Sequence, residues 1–559
     1  MTSTYPTTTA GRVKRPQSHR GLGLAAALTA LAAIMPIVAI VAIASGGSAD
    51  WPHLVHNVLP RATWRTVLLL SGVSLFTTVV GVTTAWLVAS CEFPLRRLLS
   101  ILLVMPLAIP SYLAAYAFAE FLDFTGPVQT LVRALFGFHT SRDYWFPEVR
   151  TTGGAVLVLG SVLYPYVYLA ARAMFLMQGR AAADVARTLG AGPLRVFIRV
   201  QLPMARPAIM VGLTLVAMET LNDIGAVEYL GVQTLTFSIF DTWLNRGSLA
   251  GAAQIACVML FLVAALLFIE RAARRRQRFS SSKTTAAVPD FARLRLAGTR
   301  GLLAAACCLL PPVTGFLIPF LVLGGYAARR AEQFLSTRLL AALWHSVLIS
   351  FLTALVAVLL AFVLAYATRT ARSPVTLAAA RLASLGYGVP GTVLAMGTLI
   401  PLATFDNAVD AVLRAQFGVS TGLLLSGTGF AIVYACTVRF MTMAEGTIDA
   451  GFQKLSPHLD MASRTLGRTG GQTLRTVLLP MMRPATLTAA LMVFIEAMKE
   501  LSATIMLRPF NFNTLATLVY EDASRAKVED ASVAAVIIVL AGLVPVFFVS
   551  RSINGRNTA

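Results

Sequence analysis

The stretch RTLGAGPLRVFIRVQLPMARPA, Arg187 to Ala208, returns as RTLGRTGGQTLRTVLLPMMRPA, Arg464 to Ala485, with 11 of 22 positions identical and no gap. The offset is 277 residues, close to half of the 559-residue chain, so the molecule reads as two tandem copies of one unit. Both copies are basic, and shared lipid-facing composition does not account for the match. Gly190 and Gly467 permit a chain reversal after a short helix. Pro203 with Pro207, and Pro480 with Pro484, suit the first turn of a following helix. The alternating apolar and basic residues between glycine and proline predict a second short helix lying along a membrane surface. Each copy is then an elbow between two membrane helices, and a shape used twice is a docking element.

Outward from the elbows run twelve apolar stretches long enough to span a bilayer. Six precede the linker: Leu22 to Ala44, Val67 to Ala89, Leu98 to Phe118, Gly153 to Ala171, Ala208 to Val227 and Ala250 to Ile269. Six follow it: Gly301 to Gly324, Ser346 to Tyr366, Leu382 to Ala403, Thr421 to Val438, Ala485 to Leu507 and Ala531 to Val549. Helix is the open-ended structure that satisfies its own backbone in hydrocarbon. The expected fold is therefore an all-α integral membrane protein of about twelve transmembrane helices in two six-helix repeats. The expected divisions are a basic tail 1–21, a first half 22–270 with its elbow at 178–207, a linker 271–300, a second half 301–550 with its elbow at 442–484, and a tail 551–559.

The chain is 57% apolar and 13% charged, too greasy for a soluble domain, and its connecting segments are too short for a catalytic one. With both termini in the cytoplasm, most of the 46 basic residues fall on the cytoplasmic side and only Lys499 within a span. The net charge of +21 then reads as membrane orientation, not nucleic-acid binding. Cys91, Cys257, Cys307, Cys308 and Cys436 lack paired spacing and read as small core residues. His19, His53, His56, His139, His345 and His458 have no spaced partner for a metal. No GxxxxGK[ST] phosphate loop occurs, so ATP, if used, is hydrolysed by another subunit.

Two acidic pairs recur at the repeat offset: Glu219 with Asp223, and Glu496 with Glu500. Each is i, i+4, and is expected on one helix face. An ionised group in mid-membrane costs about 3 kcal/mol, so such acids should face an interior path or a cation. They are candidate pathway residues, with Lys499 placed to neutralise Glu496.

The spacing from Gly190 to Leu202-Pro203, and from Gly467 to Leu479-Pro480, resembles the EAA loop of binding-protein-dependent ABC importer permeases. Asp184-Val185-Ala186 and Met461-Ala462-Ser463 stand where that family has Glu-Ala-Ala. The resemblance implies that Asp184, Ala186, Gly190, Leu202, Pro203, Arg206, Ala462, Gly467, Leu479, Pro480 and Arg483 couple to ATPase subunits. MPLAIPSYLAAYAF (Met105 to Phe118), GYGVPGTVLAMG (Gly386 to Gly397), the stretch Met218 to Trp243 and MKELSATIMLRPFNFNTLATLVYEDAS (Met498 to Ser524) are similar to segments of fused, two-half ferric iron permeases. Fused thiamine permeases share much of this plan.

What the resemblance implies is a permease subunit in a bacterial inner membrane. It would work with two ATP-binding cassette subunits on the cytoplasmic side and an extracytoplasmic solute-binding protein, and bind no cofactor itself. A proton-coupled secondary transporter also uses 6 + 6 parallel repeats, with the four acids titrating. That alternative leaves the duplicated elbow without a task.

Overall fold

The computed structural model describes residues 20–177, 186, 188–275, 293–371, 373–456 and 458–554. Helix dominates, as a chain that must satisfy its backbone in hydrocarbon requires. The first half carries α1 (Arg20–Ser45), α2 (Trp51–Ser90), α3 (Ser111–Leu122), α4 (Thr152–Met177), α5 (Pro193–Asn222) and α6 (Leu249–Arg275). The second carries α7 (Thr299–Arg329), α8 (Thr337–Ala371), α9 (Gly391–Phe417), α10 (Phe430–Gln453), α11 (Gly470–Lys499) and α12 (Val528–Asn554).

Among the described residues, ten helices are long and apolar enough to cross a membrane, or eleven if the pair Arg96–Ala108 and Ser111–Phe136, bent by 98°, is one span. The expected twelve are reduced for identifiable reasons. The third run breaks at Ile109-Pro110, which are extended, because proline disfavours helical geometry in the residue before it. The ninth run breaks the same way at Val389-Pro390. The tenth begins at Phe430, not Thr421, and α10, with Arg439 and Glu445 along it, falls short of the apolarity of a span. The residues before it form a loop tied back to α9, where Asp406 accepts the Ser426 N–H at 2.8 Å and Asp410 the Thr421 N–H at 2.7 Å.

Proline shapes the spans in a second way. Leu54–Val58, Phe197–Gln201, Val313–Leu317 and Leu474–Leu478 are π-turns, and each directly precedes an X-Pro pair, at Pro60, Pro203, Pro319 and Pro480. A proline ring collides with the carbonyl four residues back, and one extra residue in the turn moves that carbonyl aside. The helix therefore widens at Pro203 and Pro480 instead of starting there. Among the described residues no separate helix stands between glycine and proline as expected: Pro193–Asn222 and Gly470–Lys499 are continuous helices of 30 residues each.

The two packed cores cross the sequence halves. One gathers Leu69 to Val232 from α2–α5 and adds Ala304 to Ala342 and Ala531 to Val546, from α7, the start of α8, and α12. The other gathers Ile349 to Leu507 from α8–α11 and adds Ala26 to Ala62 and Leu235 to Val263, largely from α1 and α6. First and last helices are thus exchanged between halves. At the crossing of α1 and α9, Gly397 lets the backbones touch: a Cβ there would stand 2.2 Å from the Pro36 carbonyl oxygen. Gly397→Ala is expected to force the helices apart and cost about 1–3 kcal/mol. A lower thermal midpoint of the purified protein checks this, with Gly325→Ala, which meets open space, as the unaffected control.

Cys91, Cys308 and Cys436 are buried as expected; Cys257 is half-buried, and Cys307 is exposed on α7.

Candidate functional site

The geometry of both elbows follows from one residue type. At Gly190 (φ 82°) and Gly467 (φ 80°) the chain takes the left-handed conformation that ends a helix. The Ala191 N–H reaches back to the Ala186 carbonyl at 3.0 Å, and the Arg468 N–H to the Ser463 carbonyl at 3.1 Å, the same reversal in both halves. The next helix starts at once, with Gly192-Pro193 in one copy and a Thr469/Gln472 capping box in the other. Leu189 and Leu466, one residue before each glycine, stand 82% and 81% exposed. Leucines so open at matched corners form a pair of apolar knobs.

The remaining elbow residues differ in placement. Ala186, Leu202 and Pro203 are half-buried; Ala462, Leu479, Pro480, Arg206 and Arg483 are exposed; Asp184 lies outside the described residues. Each elbow is held from behind. Trp86 donates its indole N–H to Gln201 at 2.8 Å and packs on Phe197 in the first. In the second, Arg369 at the end of α8 forks onto Asp460 (Nε 3.0 Å, Nη2 2.9 Å) and donates to the Phe452 carbonyl at 2.9 Å. Arg369→Ala leaves the span intact and frees the second elbow. We expect about tenfold slower transport with near-normal membrane yield, read by uptake against immunoblot, because several charge-assisted hydrogen bonds are lost together.

The acidic pairs lie at the far end of α5 and α11 from the elbows. They do not share a helix face as expected. Helix α5 stops at Asn222 and α11 at Lys499; Asp223 and Glu500 are extended. Short helices Gly225–Tyr229 and Ser502–Leu507 begin just beyond. Both carboxylates cap those helices: Asp223 Oδ1 accepts the Ala226 N–H at 2.8 Å, and Glu500 accepts the N–H groups of Ala503 (2.8 Å) and Thr504 (3.0 Å). A second matched pair of turns follows the same rule, with Thr234 and Thr514 capping Leu235–Phe240 and Leu515–Ser524. Those last starts hang on matched hydroxyls of the second helix in each half, Thr66 (2.9 Å) and Ser346 (2.7 Å).

All four acids line one cavity of about 90 Å³ on the seam between the halves, together with Ser111, Tyr112, Tyr166, Asn222, Arg439 and Lys499. Lys499 pairs with Glu496 at 2.8 Å, as its spacing predicts. Arg439, which the sequence reading placed outside the spans, is buried here. Its Nη1 lies 2.6 Å from Asn222 Oδ1 and 3.4 Å from Glu500, and its Nη2 lies 4.0 Å from Glu219. Tyr387 donates to Glu219 at 3.2 Å. Among the described residues Asp223 Oδ2 and the Tyr112 hydroxyl have no hydrogen-bond partner. Four carboxylates against two cations leave an excess of oxygen ligands suited to a hard cation. Among the described residues no cluster of three or more His, Cys, Asp or Glu is arranged to hold a metal tightly.

Asn222 and Arg439 are the functional candidates that sequence reasoning missed. The signal for Arg439 was present: extending the tenth run by one residue puts an arginine inside the bilayer, where ionisable groups are rare and interior-facing.

Two tandem helical units, a paired elbow at one end and a polar cavity between the units define a membrane permease. The chain matches the family of binding-protein-dependent transport system inner membrane components over residues 77–279. It is 26% identical over 491 residues to the Fe(3+)-transport system permease protein FbpB 2 of Haemophilus influenzae, covering 87% of this chain and 89% of that protein. It is 28% identical over 222 residues to the molybdenum transport system permease protein ModB of Escherichia coli, covering 38% of this chain and 93% of that protein. Similarity to the sulfate transport system permease protein CysW of Escherichia coli is 29% over 182 residues, 32% of this chain and 56% of that protein.

Proposed function

We propose that this permease forms the translocation pathway of an ATP-driven importer for ferric iron. On this reading both elbows dock ATP-hydrolysing subunits, and an extracytoplasmic binding protein delivers cargo at the opposite end. Closure of the ATPase pair moves the knobs at Leu189 and Leu466. The continuous helices α5 and α11 carry that motion to the cavity, since each runs without a break from its elbow to its acidic turn. With a rise of about 1.5 Å per residue, each is a lever of roughly 45 Å.

The observation that supports a cation is the charge of the cavity: Lys499 is already taken by Glu496 and Arg439 by Glu500 and Asn222. Little positive charge is left for an oxyanion. The similarity to the ferric relative also spans both halves, while the molybdenum relative matches 38% of the chain.

The test is uptake in proteoliposomes holding all subunits, with ferric iron, molybdate, sulfate and thiamine offered in turn. ATP-dependent accumulation of iron, surviving collapse of the proton gradient, is expected. Accumulation of molybdate or sulfate instead would overturn the cargo. Uptake driven by a pH gradient without ATP would overturn the class of mechanism.

A further inference from the structure

Asn222 ends α5 in the first half, and three groups of the second half converge on it. Its side-chain oxygen accepts from Arg439 Nη1 at 2.6 Å and from the Gly391 N–H at 2.7 Å; its backbone carbonyl accepts from the Ser502 hydroxyl at 2.6 Å. The donors come from α10, from the start of α9 and from the short helix after α11. Among the described residues no comparable knot forms on the other side of the pseudo-symmetry axis. The position matching Asn222 is Lys499, which bonds to Glu496 in its own helix. The position matching Arg439 is Val162, which also lines the cavity but carries no charge. Arg439 and Glu500 are nearly sealed, with 6% and 2% of their side chains exposed, so this is a buried ion pair within the second half, and it is through Asn222 and Glu219 that the guanidinium reaches across the seam.

We propose that Asn222 and Arg439 form a one-sided lock on the seam, and that the Arg439 guanidinium occupies, while the lock is shut, the place among the carboxylates that a cationic cargo takes when it opens. The inference rests on the cavity being the transport pathway. Its physical basis is charge accounting. With Arg439 in place the cavity holds four acids and two bases; with Arg439 swung out, Glu500 and Glu219 lose their shared partner, and their charge is left for whatever cation arrives. A buried carboxylate without a partner is costly, so opening without cargo is disfavoured and opening with it is not. Asn222 sets the position of Arg439: its oxygen is shared with the Gly391 N–H, which fixes it against the first turn of α9. An anion gains nothing from the exchange, and the lock therefore also selects for charge. These are positioning and specificity roles, carried by Asn222 of the first half and Arg439 of the second, a pair that the duplication does not repeat.

The full chain in nanodiscs, carrying Ser111→Cys at the cavity wall, supports a direct test. Labelling rates are measured with a cationic and an anionic methanethiosulfonate of similar size, corrected for protein that lacks the new thiol. With the lock intact both reagents should react slowly. Asn222→Ala, which keeps Arg439 but unpins it, should raise both rates about tenfold, and Arg439→Lys should do the same. Arg439→Gln should raise them and also shift the cationic-to-anionic ratio about tenfold toward the cation, within the range that a focused local charge produces. The double variant Arg439→Gln with Glu500→Gln removes the ion pair without stranding a charge, so it guards against simple misfolding; its rates should be high and its ratio close to that of Asn222→Ala. Background rates in monodisperse Asn222→Ala and in the double variant would overturn the lock. An unchanged ratio in Arg439→Gln would overturn the stand-in role of the guanidinium. The reagents report on the seam whatever the cargo is, so failure of iron uptake and failure of the lock are read separately.

Discussion

A protein with both Gly190→Leu and Gly467→Leu reaches the membrane in normal amount and transports nothing. A Cβ at either position meets no atom within 4 Å, so the substitutions do not disturb packing. What they oppose is the backbone itself, because φ near 80° is left-handed and costs a non-glycine residue about 1–2 kcal/mol. The chain relieves that strain by rotating the turn, and the turn is what aims Leu189 and Leu466. Both elbows then present their knobs in the wrong direction while every span keeps its contacts. Uptake and co-purification of the ATPase subunit should fall together. The single variants should retain partial transport, and Gly→Asn at the same sites should do better than Gly→Leu, since asparagine tolerates this conformation. Normal uptake by the double leucine variant would falsify the coupling role of the elbows.

Neutralising the acids separates two roles that one cavity combines. Glu219→Gln with Glu496→Gln removes two carboxylates that cap no helix but keeps a side-chain oxygen for the Tyr387 and Lys499 donors, so iron uptake should drop at least about tenfold, through lost attraction between path and cation, with a smaller loss of thermal stability than the cap variants show. Asp223→Ala and Glu500→Ala should act differently. Each strips the cap from a short helix, and the Glu500 change also strands Arg439. A loss of about 1–3 kcal/mol in stability is expected for the caps, visible as a lower unfolding midpoint before any transport is measured. Asp223→Asn, which keeps a capping oxygen, should restore most of the stability without restoring charge. Iron uptake indifferent to the Glu219 and Glu496 pair would remove the cation path.

Much of this was legible in the sequence because repetition and periodicity carry it. Two helical halves, the matched glycines, and the Lys499 to Glu496 pair all follow from spacing within one element. The parts that were not legible depend on where separate elements meet. Asp223 sits four residues from Glu219 and looks like the next residue on a helical face, yet Asp, Ile and Gly in a row let the helix end and the carboxylate turn back to cap the next one. Pro203 looks like a helix start because nothing in the local pattern shows that the preceding turn will widen to pass it. Asn222 carries no signal of its own: an asparagine near a helix end is ordinary, and its three bonds come from residues 391, 439 and 502. Most of all, apolar periodicity says which face of a helix is buried but not against which partner, so the exchange of outer helices between the halves leaves no trace in it.

That exchange has a consequence for synthesis. The chain is made from its N-terminus, and α1 is complete at Ser45, yet the α9 surface it packs against ends at Phe417. At about 5–20 residues per second, α1 waits roughly 20 to 70 s in the bilayer before its partner emerges. Through that interval its small residues Ala26, Ala30 and Ala33, fully or nearly buried in the finished protein, have α6 but not α9 to pack against. Core formation around α1 is therefore completed only when about three quarters of the 559-residue chain has been made. A ribosome that stalls after the first half releases a fragment whose first helix has α6 beside it but lacks the α9 surface that completes its packing.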